Sequence, residues 1–129
     1  LEKEISHGLA EADTLHIEPD VVATIAALAA SEVPGVAGMS DVSLVGMLRK
    51  NNLAKGVKAT VGEREAAIDV YVILDYGVKI PEVALRVQEN VRTAIETMTS
   101  LVAVEVNVHV QSVAYHETKP ETKGEPLVY

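Results

Sequence analysis

From Ala66 to Val113 the chain alternates, breaks off and alternates again. Ile68, Val70, Val72 and Leu74 are interleaved with Asp69, Tyr71, Ile73 and Asp75. A period of two places one set on a core and the other on the opposite face of a strand. Gly77 interrupts the pattern, Pro81 opens a stretch with helical spacing, and a second alternation covers Val102 to Val113. There Val104, Val106, Val108 and Val110 form the inward set, and Glu105, Asn107, His109 and Gln111 the outward one. The order is strand, tight turn, amphipathic helix, strand.

The helix predicted from Pro81 to about Thr99 has Val83, Val87, Val91, Ala94, Ile95 and Met98 on its apolar side. An earlier helix is predicted from Pro19 to Glu32, where proline suits the first turn and Asp20 faces the positive helix end. Val21, Ile25, Leu28 and Ala29 share one face, and alanine elsewhere points to burial on more than one side. Leu15, His16 and Ile17 make a short candidate strand, Val36 to Ser40 another. Val57, Ala59 and Val61 alternate with Lys58 and Thr60, and residues 62–65 form a hairpin turn. That strand therefore pairs antiparallel with Ala66 to Leu74. Leu44, Val45 and Leu48 suggest a helical turn or two before a basic loop with Arg49, Lys50 and Lys55.

These elements predict one small domain of the α/β (α+β) class. It has a mixed β-sheet, two main helices packed on one face, and the order βαβ-ββαβ. Residues 1–14 read as a flexible polar leader, 15–113 as the domain and 114–129 as a flexible polar tail.

Composition narrows the chemistry. The 129 residues suit one core, which must be aliphatic because Trp, Phe and Cys are absent. Without Cys there is neither a disulfide framework nor thiolate catalysis, which fits a cytoplasmic protein. A net charge of −8 disfavours general binding to nucleic acid or anionic membranes. No apolar run reaches the roughly 20 residues of a membrane span. No signal-like segment opens the chain, and Leu1 in first place suggests a trimmed or replaced start.

The four histidines lack the spacing of a metal site, and no cofactor-binding or nucleophile motif occurs. Neither metal, cofactor nor catalytic residues are expected. Asp69 and His109 would act as an acid–base pair only within hydrogen-bond reach. The candidate interaction surface is the outward sheet face, with Asp69, Tyr71 and Ile73 on one strand and Asn107, His109 and Gln111 on another. Tyr71 and Ile73 make an apolar patch there, which predicts self-association or a protein partner. The basic loop at Arg49, Lys50 and Lys55 is a second candidate. RNA binding is disfavoured because no aromatic platform and no Gly-x-x-Gly clamp is present.

Several motifs in order resemble a known family. They are Gly35-Val36-Ala37-Gly38-Met39-Ser40, Lys55-Gly56-Val57-Lys58 with Val61-Gly62-Glu63, and Ile68-Asp69-Val70-Tyr71-Val72 followed by Tyr76-Gly77-Val78. Ile80-Pro81-Glu82-Val83-Ala84, Val87-Gln88-Glu89-Asn90-Val91, and Met98-Thr99 followed by Val106-Asn107-Val108-His109-Val110 complete the set. Over Ile17 to Val113 the chain resembles the alkaline shock protein, or envelope stress response, family of Gram-positive bacteria. The resemblance implies a non-enzymatic cytoplasmic scaffold or interaction module in the envelope stress response. It also implies a membrane-anchored protein partner and self-assembly into a homo-oligomer, with membrane association only through the partner. As an alternative it implies a modulator of fatty-acid synthesis acting on acetyl-CoA carboxylase.

Overall fold

The computed structural model describes residues 15–40 and 56–115. The predicted leader, the helical turn at Leu44, Val45 and Leu48, the basic loop with Arg49, Lys50 and Lys55, and the tail beyond Tyr115 lie outside these residues. The elements in chain order are α1 (Pro19–Ser31), β1 (Val36–Met39), β2 (Val57–Val61), β3 (Glu65–Asp75), α2 (Ile80–Thr99) and β4 (Val102–Ala114). They form a single small α+β domain.

β3 is the centre of a mixed four-stranded sheet. β1 and β2 lie end to end along one edge of it, both antiparallel, while β4 runs parallel along the other. Both halves of the first edge meet at Tyr71. Its N–H donates to Gly56 O (2.7 Å), and its carbonyl accepts from Ser40 N–H (2.9 Å). The chain therefore leaves the sheet at Ser40 and re-enters at Gly56, both ends held by one residue. Gly56 has φ +81°, and a Cβ there would stand 2.7 Å from Ser40 O. Only glycine fits that junction.

Ala66, Ile68, Val70, Val72 and Leu74 of β3 are buried beneath both helices. α2 buries Val83, Val87, Val91 and Ile95 at intervals of four, as its period predicts. It ends at Ser100, a non-glycine residue in the left-handed region (φ 66°). Buried Thr99 secures that end: its hydroxyl donates to Ile95 O (2.6 Å) and accepts from Leu101 N–H (3.1 Å).

Four expectations are corrected. Leu15 to Ile17 is not a strand, so among the described residues the order begins with α1 and only β3–α2–β4 is a βαβ unit. α1 buries Val22, Ala23, Ala26, Ala27, Ala29 and Ala30, while Val21 and Leu28 are exposed. An alanine surface lets this helix approach both the sheet and α2, and the Asn90 amide donates to Ala29 O (2.7 Å) across that seam. Met98 is 70% exposed, because α2 turns its last apolar position away from the sheet. Val104 is 52% exposed rather than buried. The β3–β4 register slips between Ala66/Ala67 and again between Val72/Ile73, so Val104 and Gln111 each sit in a β-bulge.

Candidate functional site

Among the described residues nothing packs on the second face of the sheet. Ala67, Asp69, Tyr71, Ile73 and Asp75 of β3 are only partly buried there. The register brings Lys58 of β2, Asp69 of β3 and Asn107 of β4 into one row, and Tyr71 and His109 into the next.

These side chains form a connected cluster. His109 Nε2 lies 3.0 Å from Asp69 Oδ1, and the Asn107 amide donates to the same oxygen at 3.2 Å. The hydrogen bond from His109 is the main reason the Asp69 carboxyl is held below its ordinary range. Partial burial opposes this, while Asn107 and the charges of His109 and Lys58 act in the same direction as the hydrogen bond. An ionised carboxylate can only accept, so Nε2 is the protonated imidazole nitrogen. The His109 ring lies flat on Tyr71, centroids 4.4 Å apart and planes within 11°. Lys58 Nζ covers the same phenol ring, 5.9 Å from its centroid.

Of the sequence-predicted residues, Asp69, Tyr71, Asn107 and His109 come together. Ile73 is one row further along, beside Gly38 of β1 and Ser112 of β4. The bulge gives Ser112 the place opposite Ile73 that strict alternation assigns to Gln111, which is exposed and has no β3 partner. Lys58 was not singled out from the sequence, although its outward place in β2 and the antiparallel pairing with β3 were both legible.

Asp69 and His109 meet the reach required of an acid–base pair. They stand on an exposed sheet face rather than in a cleft. Among the described residues no group of His, Asp or Glu is arranged to hold a metal ion. One hollow is an open groove on the helical side, about 460 Å³, between Glu32, Pro34, Arg86 and Glu89. What the cluster offers is a surface of one carboxylate, one ammonium and two stacked rings.

Fold and site together define a small α+β domain with an open, polar-aromatic sheet face. The model of the alkaline shock protein 23 family, described as having a cell envelope-related function, matches residues 8–115, and the chain belongs to that family. The resemblance to alkaline shock proteins read from the motifs is thereby confirmed. The chain is 41% identical over 110 residues to protein YqhY of Bacillus subtilis, covering 83% of this chain and 81% of that one. It is 38% identical over 104 residues to protein Spy1614 of Streptococcus pyogenes, covering 77% and 86%. A Streptococcus pyogenes homologue of the stress response regulator gls24 is 25% identical over 117 residues, covering 88% of this chain and 64% of that one. Among solved structures, MamM-CTD 215-293 aligns with TM-score 0.47 and 17% identity, over 74% of this chain and 99% of that one. That likeness is too distant to bear on function. No described helix is long and apolar enough to cross a membrane.

Proposed function

We propose that this protein is a non-enzymatic interaction module of the envelope stress response, acting on the cytoplasmic side of the envelope. Its open sheet face binds a protein partner held at the membrane. The supporting observation is the Lys58–Asp69–Asn107 row beside the Tyr71–His109 stack. Such a cluster is pre-ordered, flat and only partly buried. It gives a partner an aromatic anchor and a polar rim with little further ordering. The family's cell envelope-related function and the relative named as a stress response regulator set the cellular context.

The test is capture from the native cell with the purified chain and with a Tyr71→Ser/Ile73→Ser variant. One membrane-anchored protein held by the first and lost by the second, with both equally folded by circular dichroism, supports the reading. Equal retention by the variant sinks it.

A further inference from the structure

Among the described residues β4 has a strand neighbour on one side only. Exposed strand edges invite pairing, and natural ones are commonly blunted by lysine or proline. From Val102 to Ala114 there is no Lys, Arg or Pro. α2 guards the first half of the edge instead. Glu96 accepts from Ala103 N–H (3.0 Å), Arg92 Nε donates to Ala103 O (3.2 Å), and Gln88 donates to Val106 O (2.9 Å). Gln88, Arg92 and Glu96 are four residues apart and form one stripe along the helix. The next position in the stripe is Ala84, which has nothing to donate. Backbone groups of a parallel strand point alternately to its two sides. Since Val106 O points outward, so do the groups of Val108 and Val110. Among the described residues no partner meets them.

We propose that this unguarded run pairs with the same run of a second copy, antiparallel, about a two-fold axis at His109. The claim stands apart from the face reading, because it uses the strand's edge. Its basis is self-complementarity: Asn107-Val108-His109-Val110-Gln111 reads amide, valine, imidazole, valine, amide. About His109, each Val108 faces the other copy's Val110 and exchanges backbone hydrogen bonds with it. Asn107 faces Gln111, amide to amide, and no carboxylate, ammonium or guanidinium is set against its like. The Tyr71–His109 stack then continues across the axis into the second copy's stack, and the two sheets become one. The guard at Val106 stays in place. A seam this short belongs at the small end of interface sizes, so the dimer forms reversibly as concentration rises.

The experiment is analytical ultracentrifugation of the purified full chain over a wide concentration range, with variants. The mass should climb toward that of a dimer. Val108→Pro removes an outward N–H and spares the ladder to β3; it should stay monomeric. Ala84→Gln extends the guard by one turn and should also stay monomeric, which keeps the test usable if the proline variant fails to fold. The chain has no cysteine, so His109→Cys is a clean reporter. Opposed residues of a non-hydrogen-bonded antiparallel pair lie within disulfide reach, and this variant should cross-link to itself on oxidation. Asn107→Cys, which faces Gln111, should cross-link far less. A chain that is monomeric throughout, dimers unaffected in both folded variants, or equal cross-linking at 107 and 109 would overturn the proposal. A monomer that pairs only with a different protein's strand overturns it equally.

Discussion

His109 Nε2 stands 3.0 Å from Asp69 Oδ1, joining two strands that run parallel across the centre of the sheet. The contact lies on the solvent side and still depresses the Asp69 pKa. A carboxyl whose pKa is lower folded than unfolded contributes stability that is complete above the unfolded value, about 3.9, and is lost as pH falls through the folded value. Asp69→Asn should therefore lower the urea midpoint at neutral pH. The gap from the parent chain should close below about pH 4. Urea titrations at both pH values measure it, and a gap that persists in acid would mean that charge at Asp69 is not the cause.

Val87 and Met98 both belong to the apolar set read from the sequence of α2, yet one is fully buried and the other 70% exposed. Val87→Ala should cost about 1–3 kcal/mol through lost burial and the cavity left behind. Met98→Ala should stay within about 0.5 kcal/mol of the parent. Chemical denaturation of both variants under one condition checks the contrast.

Gly56 and Gly77 both have positive φ, +81° and +99°. At Gly77 an added Cβ meets nothing within 4 Å, so Gly77→Ala carries only the backbone strain, about 1–2 kcal/mol. At Gly56 the same atom meets backbone oxygens of Ser40 and Tyr71 at 2.7 and 3.1 Å. Gly56→Ala should cost clearly more and should loosen the junction of β1 and β2. Faster amide exchange at Ser40 and Tyr71, whose N–H groups close that junction, is the expected signature.

Ser100 occupies the left-handed region at the end of α2. Glycine takes that conformation without a Cβ penalty. Ser100→Gly should stabilise the chain by about 0.5–1 kcal/mol, somewhat reduced by the greater freedom of glycine in the unfolded state. A raised midpoint in thermal unfolding is the measurement.

Most of the candidate site was legible in the sequence. Strict alternation put Asp69, Tyr71, Asn107 and His109 on one face, and the ladder made them neighbours. Gln111 and Val104 depart from the pattern because each falls in a bulge, and a bulge is set by what the partner strand can pair with. Lys58 joined the cluster through its hairpin pairing with Asp69: its outward place and the pairing were legible, and only the register of the pair was not. The guard of Gln88, Arg92 and Glu96 had no trace in hydrophobic periodicity, since its partners are backbone atoms of another element.

The order of residues alone settled the types of the two helices and the four strands, the long inward rows of β3 and α2, and the aliphatic nature of the core. Each of those follows from a period of two or of about four, which neighbouring residues express without help. Tertiary packing decided the rest. It selected the alanine side of α1 over Val21 and Leu28, turned Met98 outward and seated β1 and β2 on one edge at Tyr71. It also left β4 half guarded. Those outcomes depend on which surfaces meet across the whole chain, and a local repeat carries no information about its distant partner.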